Sequence, residues 1–248
     1  MKVLILAAGY GTRLYSLVKD TSKALIEING KPLINHILER IEHLNELKEV
    51  IVVTNNKFFS SFEAWAKEQK DFHHNIRIVN DGTEKIDERL GSIGDIDCIL
   101  KQKLVEDDLL VVGGDNLFDF NLEECMQFAQ DKKDAPTIGL YDIHDYTNAK
   151  LFGVAALNSH NKIVSFEEKP AIPQSTLVAM CFYYFPKPTL RFIHDYLNET
   201  KQSDTAGDYI KWLALKTDVY GFKFTGKWYD IGSVESYKEA QEKFLNGK

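Results

Sequence analysis

Residues 3–14 read VLILAAGYGTRL: an apolar run, then a loop that is broken by glycines and carries an arginine. The run predicts a buried β-strand. Glycines let backbone N–H groups turn toward an anion, and the guanidinium of Arg13 presents a planar fork of donors that fits phosphate oxygens. Two lysines follow, Lys23 and Lys31. The stretch therefore predicts a strand that delivers a phosphate-binding loop, with a plain strand-to-helix turn as the alternative.

The glycine spacing differs from two well-known phosphate-binding fingerprints. Leu14 stands where a dinucleotide-binding loop has its third glycine. A P-loop would end in glycine, lysine and then serine or threonine, and this loop does not. Phosphate binding is therefore inferred from Arg13 and the lysines that follow, rather than from the glycine spacing.

The balance of charge points to a small ligand. The chain of 248 residues carries a net charge of −7, whereas a nucleic-acid-binding surface normally needs an excess of basic residues. The first 31 residues are an exception, with five basic side chains against two acidic ones. An acidic protein with a basic loop after its first strand suits a small phosphorylated ligand and argues against a nucleic acid polymer as partner.

The cysteines and the apolar runs indicate a reducing compartment. Cys98, Cys125 and Cys181 are odd in number and widely spaced, which fits neither a disulfide framework nor a metal site. No targeting segment is recognised, and no apolar run is long enough to cross a bilayer as a helix. We therefore expect a cytoplasmic protein with no membrane partner.

Apolar, strand-like runs alternate with helical patterns up to about residue 135. This alternation predicts an α/β fold with a mainly parallel sheet that is covered by helices on both faces. Beyond residue 135, strands follow one another with little helix between them, which predicts a mixed, partly antiparallel lobe. The ligand cleft is expected between the two halves, beyond the carboxyl ends of the strands.

The individual elements follow from the same patterns. The predicted strands cover residues 3–8, 50–54, 76–80, 109–112, 137–141, 152–157, 163–166, 177–185 and 219–224. The predicted helices cover residues 32–44, 58–69, 94–103, 188–200, 208–216 and 234–245. No internal repeat or long linker interrupts the pattern, so we expect one domain, 1–248, with halves 1–135 and 136–248.

Two aspartates stand where a metal ion would be useful. Asp115 follows a buried strand and two glycines in VVGGDN, residues 111–116, and Asp230 lies between aromatics and a glycine in WYDIGS, residues 228–233. A carboxylate at the carboxyl end of a parallel strand points toward the ligand, although each aspartate alone fits a turn or a helix cap equally well. Together they fit one Mg²⁺ held by two carboxylates and by phosphate oxygens of the ligand.

A further charged motif, FEEKP, covers residues 166–170. Taken alone, two acids and a lysine before a proline are most typical of a solvated turn. The alternative is a binding site, in which one glutamate accepts hydrogen bonds from sugar hydroxyls and Lys169 contacts a second phosphate.

Taken together, these motifs resemble the sugar-1-phosphate nucleotidyltransferases, and within them the glucose-1-phosphate thymidylyltransferase and uridylyltransferase branch. The resemblance rests on LAAGYGTRL (6–14), Lys23, GDN (114–116), EEKP (167–170) and WYDIG (228–232), which occur in family order over nearly the whole chain. It implies a single nucleotidyltransferase domain with a Rossmann-like, three-layer α/β/α sandwich. In that domain, the first half binds the nucleotide and the second half binds the sugar and contributes to the metal site.

The resemblance also implies a role for each matching residue. The nucleoside triphosphate is expected to contact Ala8, Gly9, Gly11, Thr12, Arg13, Asn80, Gly91 and Ser92. The sugar 1-phosphate is expected to contact Gly153, Glu168, Lys169 and Val178, and Mg²⁺ to be held by Asp115 and Asp230. The catalytic cations implied are Arg13, Lys23 and Lys169.

Two departures from the family pattern bear on these roles. The chain has Thr21-Ser22-Lys23 where the family usually has threonine, proline and lysine, and loss of the proline frees the backbone before Lys23. The segment that would read the base is longer than in the best-known thymidylyltransferases. Whether Asn80, Asp81 or another residue reads the base edge therefore stays open.

The activity implied is direct nucleotidyl transfer. A phosphate oxygen of the sugar 1-phosphate attacks the α-phosphorus of the triphosphate in line, and pyrophosphate leaves. We expect dTTP or UTP and glucose 1-phosphate as substrates, with a nucleotide sugar as product. The attacking oxygen is already anionic, so no general base is needed. Relatives are often dimers or tetramers, which makes a homo-oligomer one expectation.

Three other functions remain open at this stage. Asp95-Ile96-Asp97 has the letters of the metal motif of glycosyltransferases that consume a nucleotide sugar, although it falls in a predicted helix. A sensor that binds the ligand without turnover is a second alternative. A third is cytidylyl transfer to a non-sugar phosphate such as phosphocholine, with an aromatic cage that includes Tyr183, Tyr184 or Trp228.

Overall fold

The computed structural model describes residues 1–14 and 20–244, except for the side chain of Arg13. The chain divides into two compact units that interleave along the sequence. Unit 1 comprises Met1–Arg89, Val112–Leu122 and Gly226–Lys248, and unit 2 comprises Leu90–Val111 and Glu123–Thr225. The predicted halves, 1–135 and 136–248, are by contrast sequential. Because the observed units interleave, Asp230 belongs to unit 1 together with the N-terminal loop.

The described elements alternate between strand and helix through most of the chain. The strands are β1 (Lys2–Leu6), β2 (Glu27–Ile28), β3 (Lys31–Pro32), β4 (Glu49–Thr54), β5 (Asn75–Asn80), β6 (Leu109–Gly113), β7 (Asn116–Phe118), β8 (Thr137–Asp142), β9 (Gly153–Leu157), β10 (Ile163–Glu168), β11 (Leu177–Phe185), β12 (Tyr220–Phe224) and β13 (Trp228–Asp230). The helices are α1 (Leu33–Ile41), α2 (Phe59–Glu68), α3 (Gly91–Lys101), α4 (Glu123–Asp131), α5 (Tyr146–Ala149), α6 (Arg191–Thr200), α7 (Ala206–Lys216) and α8 (Val234–Lys243). Short 3₁₀ turns cover Thr12–Leu14, Lys23–Leu25, Ile86–Glu88 and Lys187–Thr189.

Unit 1 is built on parallel strands in the order β1, β4, β5. β4 is buried along its whole length, as expected for an unbroken apolar run inside a parallel sheet. The end of β6 joins this unit beside β1, where the Gly114 N–H donates to the Leu6 carbonyl at 2.9 Å. The carboxyl ends of β1, β4 and β6 therefore lie at the same edge, and the loops that follow them can share one site.

A second, smaller layer of unit 1 fixes the segment around Asp230. β13 pairs antiparallel with β7, and α8 packs over this pair. An apolar cluster holds the layer together: Leu14, Ile26, Ile28, Leu33, Leu117, Ile231, Ala240 and Phe244 are all buried in it. Burial of this many apolar side chains, at about 25 cal/mol per Å² removed from water, makes the layer a fixed part of the fold.

Unit 2 has a mixed sheet. β9 pairs antiparallel with β10 and with β11, β11 pairs antiparallel with β8, and β12 adds to β8 in parallel. Helix α7 lies against β10, and α3, α6 and α7 pack on one another. This packing brings the start of α7 close to the end of β10, where the EEKP motif begins.

The predicted α/β class, with a mixed sheet that is parallel in its N-terminal part, is confirmed. The predicted strands agree with the observed ones within two residues at each end. The short elements β2, β3, β7, β13 and α5 were not predicted, because each is only two to four residues long. Helix α4 was not predicted either, because it is mostly polar. Helix α8 ends at Lys243, and residue 245, where it was predicted to end, lies outside the described residues.

The membrane question is answered for the described part of the chain. Among residues 1–14 and 20–244, no helix is both long enough and apolar enough to span a bilayer. The sequence had predicted no such segment.

A buried carboxylate stabilises the start of β4. Glu49 accepts hydrogen bonds from Lys2 Nζ at 2.7 Å, from Arg77 Nε at 2.8 Å and from Asn75 Nδ2 at 2.8 Å. Burial raises the pKa of Glu49, but the hydrogen bonds from Lys2 and Arg77 outweigh it and keep that pKa below its usual value. Because the folded-state pKa is depressed, the stabilisation is complete above the usual glutamate range and is lost as the pH falls through the lowered pKa.

We expect Glu49→Gln to lower the free energy of unfolding by about 2 kcal/mol at pH 7, because charge-assisted hydrogen bonds to a buried group are lost. The variant should also lose less stability than the wild type on acidification. Urea unfolding at a series of pH values from 7 to 3 measures both effects. Glu239→Gln, which removes an exposed ion pair with Lys243, is the control and should leave stability unchanged. If the free energy of unfolding depended on pH equally in the wild type and in Glu49→Gln, the stabilising role of the ionised Glu49 carboxylate would be contradicted.

Candidate active site

The predicted phosphate loop follows directly from β1 in unit 1. Gly11 has a φ of 65°, a left-handed conformation that suits glycine, and its carbonyl accepts from the Leu14 N–H at 2.9 Å. Gly9 has open space where a Cβ would stand. Thr12 is exposed and opens the 3₁₀ turn that contains Arg13, whose side chain lies outside the described part of the chain. The loop therefore has the tight turn and the free approach that phosphate binding requires.

Asn55 supports this loop and was not singled out in the sequence. It is fully buried at the end of β4, where its Nδ2 donates to the Ala8 carbonyl at 2.8 Å and its Oδ1 accepts from the Phe58 N–H at 3.2 Å. The side chain thus ties the loop to the neighbouring strand. A polar residue directly after a strand with a central apolar run, residues 50–53, is the sequence signal that could have found it.

Lys23 and Asp115 meet in unit 1. Lys23 Nζ lies 3.2 Å from Asp115 Oδ2, and the two side chains are 17% and 34% exposed. Asp115 lies in the turn between β6 and β7, so a strand follows it and the alternative of a helix cap is wrong. A cation and a carboxylate at the ends of different segments, both partly buried, form a charged site next to the phosphate loop.

The missing proline before Lys23 leaves the local backbone geometry intact. Ser22 is buried and has φ −63° and ψ 142°, values that a proline would adopt. The 3₁₀ turn that begins with Lys23 therefore starts as it would after a proline. The backbone before Lys23 therefore has the conformation that the family's proline would impose.

Asp230 is brought beside Asp115 by strand pairing. β13 and β7 place Asp230 opposite Asn116, the residue after Asp115, and the Ile231 N–H donates to the Asp115 carbonyl at 2.9 Å. The cap of α8 is Ser233, whose side chain accepts from the Ser236 N–H, so the alternative of Asp230 as helix cap is wrong. The two predicted metal ligands thus lie on adjacent strand ends.

The donor set fits a magnesium ion that is completed by the substrate. No group of three or more His, Cys, Asp and Glu side chains able to hold a metal is found in residues 1–14 and 20–244. Mg²⁺ is commonly bound by one or two carboxylates together with substrate phosphates and water, rather than by a complete protein cage. The two carboxylates of Asp115 and Asp230, beside a phosphate loop, satisfy that requirement.

Trp228 and Asn116 lock the strand pair that carries the two aspartates. Trp228 Nε1 donates to Asn116 Oδ1 at 2.6 Å, and Asn116 Nδ2 donates to the Gly113 carbonyl at 3.2 Å. Asn116 is 3% exposed, so loss of either bond would leave a buried amide unpaired. Asn116 in the GDN motif and Trp228 in the WYDIG motif thus have a structural role, which is to hold β7 and β13 together.

Asn80 closes the turn that follows β5. Its Nδ2 donates to Asn56 Oδ1 at 2.8 Å and its Oδ1 accepts from the Gly82 N–H at 2.9 Å. Tyr10 of the phosphate loop reaches the same turn, where its hydroxyl lies 3.4 Å from Thr83 Oγ1. Asn80 is therefore connected to the loop through its neighbours, while its role in reading the base stays a prediction.

Gly91 and Ser92 begin helix α3 in unit 2. Ser92 donates to the Asp204 carbonyl from both its N–H, at 3.2 Å, and its Oγ, at 3.0 Å, and the Ile93 N–H donates to the Ser203 carbonyl at 3.0 Å. The first amides of the helix are thus used by the loop before α7. The nucleotide contacts of Gly91 and Ser92 stay a prediction. Both residues also hold the loop before α7: Ser92 bonds to Asp204, and Gly91 leaves room for the Asp204 backbone.

Gly91→Ala is expected to lower the free energy of unfolding by about 3 kcal/mol, since it combines left-handed strain with overpacking. Gly91 has a φ of 75°, and a Cβ there would lie 2.4 Å from Asp204 Cα. Denaturant unfolding measures the change. Gly30→Ala, with a φ of 78° but no atom within 4 Å of its Cβ, is the matched control for strain alone. Equal losses in the two variants would contradict the packing argument.

The predicted sugar-binding residues come together in unit 2. β10 continues to Glu168, so Glu167 and Glu168 belong to a strand rather than to a solvated turn, and β10 pairs Glu168 with Gly153. Glu168 Oε1 lies 3.2 Å from Lys169 Nζ, and the Glu168 side chain is only 18% exposed. Val178 is fully buried in β11, opposite Val154. The four residues therefore share one end of the unit 2 sheet.

Lys169 adopts an unusual backbone conformation. Its backbone φ is 45°, a left-handed value that residues other than glycine seldom adopt. Its N–H donates to the Phe152 carbonyl at 3.0 Å. Such a conformation costs on the order of 1 kcal/mol, and the hydrogen bond to Phe152 helps to hold it. The Lys169 side chain remains mostly exposed, which leaves its ammonium group accessible to a ligand.

The residues that suggested a glycosyltransferase metal motif and an aromatic cage for phosphocholine make other contacts in the structure. Asp95 and Asp97 lie buried inside α3, and Asp97 Oδ2 pairs with Lys101 Nζ at 2.6 Å, whereas a glycosyltransferase metal motif stands at a strand end. Tyr183 packs on Phe185, and the Tyr184 hydroxyl donates to Asp108 at 2.6 Å. Adjacent residues of a strand face opposite sides, so these tyrosines do not form one aromatic cage.

Comparison with known proteins decides the family. A family model described as nucleotidyl transferase matches residues 2–247. The chain belongs to the nucleotidyl transferase family. A curated relative of this nucleotidyl transferase is the bifunctional protein GlmU of Methanocaldococcus jannaschii, 29% identical over 99% of this chain and 55% of the relative. The chain thus spans about half the length of that curated relative.

Solved structures confirm the fold of this nucleotidyl transferase. A protein of Bacillus anthracis described as a glucose-1-phosphate thymidylyltransferase, crystallised with sucrose, superposes with a TM-score of 0.82 at 23% identity, covering 98% of this chain and 94% of the other. A UDP-glucose pyrophosphorylase in complex with UDP-glucose superposes with a TM-score of 0.81 at 22% identity, covering 100% and 99%. The predicted fold and the family resemblance are both confirmed.

Proposed function

We propose that this nucleotidyl transferase joins a nucleoside triphosphate, dTTP or UTP, to glucose 1-phosphate and releases pyrophosphate. The observation that carries the proposal is the charged site of unit 1, where Lys23, Asp115 and the neighbouring Asp230 lie at the strand ends beside the phosphate loop. The two carboxylates are suited to bind a metal cation such as Mg²⁺, and this cation together with Lys23 would neutralise the negative charge of a triphosphate. The relatives described above support the choice of a sugar phosphate as the second substrate.

The chemistry asks the protein to bring two anions together. A phosphate oxygen of the sugar 1-phosphate forms a bond to the α-phosphorus of the triphosphate, and the bond to the bridging oxygen of pyrophosphate breaks in line. The nucleophile is already ionised, so no side chain has to take a proton. Neutralisation of charge and alignment therefore supply most of the rate enhancement.

Unit 1 holds the triphosphate in this proposal. The backbone of Gly9, Gly11 and Thr12 and the guanidinium of Arg13 bind its phosphates, and Lys23 neutralises charge at the reacting phosphorus. Asp115 and Asp230 would hold Mg²⁺, which supplies Lewis-acid stabilisation of the phosphate oxygens when bound. Lys23 lies 3.2 Å from Asp115, so its position is already set in the free protein.

Unit 2 holds the sugar 1-phosphate. Glu168 accepts hydrogen bonds from the sugar hydroxyls, and Lys169 binds the phosphate through its exposed ammonium group. The backbone near Gly153 and Val178 forms the wall of the pocket. A carboxylate that accepts from hydroxyls, with a cation beside it, suits a phosphorylated sugar better than a cationic alcohol such as choline.

The test is a matrix of dTTP, UTP, CTP, ATP and GTP against several sugar 1-phosphates, with pyrophosphate release as the readout. Turnover is expected with dTTP or UTP and glucose 1-phosphate in the presence of Mg²⁺, and none after the metal is removed with EDTA. Phosphocholine with CTP, and a nucleotide sugar with an acceptor sugar, are the two comparison arms. Turnover in either of these arms alone would overturn the proposal in favour of the corresponding alternative.

A further inference from the structure

Two glycines enclose the carboxylate of Glu168. A Cβ placed on Gly207 would lie 1.8 Å from Glu168 Oε2 and 2.7 Å from Glu168 Cδ. A Cβ placed on Gly153 would lie 3.1 Å from the same Oε2. Real Cβ atoms do not approach to 1.8 Å, so the observed position of this carboxylate requires that residue 207 has no side chain.

Helix α7 provides a favourable place for this charge. Gly207 is the second residue of α7, and the first turn of a helix presents unpaired N–H groups and the positive end of its dipole. The Glu168 carboxylate lies against this turn, and Lys169 Nζ lies 3.2 Å from its other oxygen. Lys169 and the start of α7 thus flank the carboxylate at its two oxygens, and the glycine allows the close approach.

The start of α7 is itself anchored. Ser92 and Ile93 of α3 donate hydrogen bonds to the carbonyls of Asp204 and Ser203, which lie two and three residues before the first residue of α7. Thr205, which precedes the first residue of α7, donates from its Oγ1 to Asp208 in the same turn. Helix α7 also packs against β10, the strand that carries Glu168. A Cβ at residue 207 therefore has to be accommodated by the Glu168 side chain.

We propose that Gly207 is a positioning residue for the sugar phosphate: it sets the place of the Glu168 carboxylate that accepts from the sugar hydroxyls. The inference rests on the proposed function, because it assigns Gly207 to the site that binds the sugar 1-phosphate. A side chain at residue 207 drives Glu168 into another rotamer and removes the acceptor without touching the substrate itself.

A double-mutant cycle tests this assignment. Wild type, Gly207→Ala, Glu168→Ala and the double variant are assayed for pyrophosphate release, with the KM for glucose 1-phosphate and for the triphosphate measured separately. We expect each single substitution to raise the KM for glucose 1-phosphate by on the order of tenfold or more, as for loss of a charged hydrogen-bond partner. The KM for the triphosphate should change by less than about twofold, because the effect is confined to the sugar site.

The double variant carries the decisive result. If Gly207 acts through Glu168, adding Gly207→Ala to Glu168→Ala raises the KM no further, and the melting temperature falls by less than the two single losses together. The double variant lacks the Glu168 carboxylate with which the new Cβ would clash. We therefore expect it to fold even if the Gly207→Ala single variant does not. A further rise in KM in the Glu168→Ala background would overturn the assignment.

A matched glycine separates this role from general packing. A Cβ on Gly221 of β12 would lie 2.4 Å from Leu140 Cδ1, far from the EEKP motif in the sequence. Gly221→Ala should lower the melting temperature and leave both KM values unchanged. An inactive wild type in every arm of the substrate matrix would overturn the proposed function. An active wild type in which Gly207→Ala leaves the KM for glucose 1-phosphate unchanged would overturn this inference alone.

Discussion

Asp115→Asn and Asp230→Asn should each lower kcat for pyrophosphate release by on the order of 10²- to 10³-fold. Both substitutions keep the shape of the side chain and remove its charge. The two residues lie at adjacent strand ends and are the acidic pair that would hold Mg²⁺ against the triphosphate. With one carboxylate lost, the Mg²⁺ concentration that gives half-maximal activity should also rise.

Thermal unfolding of the same proteins shows whether the fold survives. The Asp115 side chain is 34% exposed, and its pairing with Lys23 is therefore a modest contributor to stability. Glu239→Gln removes a negative charge from the surface of α8 in the same unit and should leave kcat unchanged. Near-wild-type turnover in both folded aspartate variants would refute the assignment of the metal site.

Lys23→Gln should lower kcat by on the order of 10²-fold, with a smaller change in the KM for glucose 1-phosphate. Its ammonium group lies 3.2 Å from Asp115 Oδ2, and the Lys23 side chain is only 17% exposed, so the surrounding protein holds this charge in place. In the proposed reaction this cation neutralises charge that develops at the reacting phosphorus. Its effect should therefore appear in the chemical step more than in the binding of the sugar.

Lys57→Gln is the matched control for Lys23→Gln. Lys57 lies in the same unit, and its Nζ pairs with the exposed Asp20 at 3.3 Å. Removal of this surface cation should leave turnover unchanged, because exposed pairs are screened by solvent. If Lys23→Gln and Lys57→Gln had the same turnover, Lys23 would have no special role.

Local pattern was sufficient for most elements of the fold. An apolar run such as residues 50–53, rich in β-branched side chains, is typical of a strand buried on both faces of a parallel sheet. Helix α1 presents six buried residues at helical spacing, so its presence follows from the sequence. The same local logic placed Asp115 at the end of a strand, where ligands of α/β proteins bind.

Local pattern failed where an element exists only because of its partner. β7 and β13 are three residues long, and neither has a sequence signal of its own. They form because the apolar cluster beneath α8 holds them against each other. The position of Asp230 beside Asp115 depends on this pairing.

The sequence by itself determined the family, the order of the elements and the identity of the charged residues, because these are properties of local patterns and of motif order. Only the tertiary structure decided which residues meet: Asp230 with Asp115, Asn55 with the phosphate loop, and Gly207 with Glu168. Gly207 shows the reason. A glycine in the first turn of a helix has no evident function until a side chain from a distant strand occupies the space that its missing Cβ leaves.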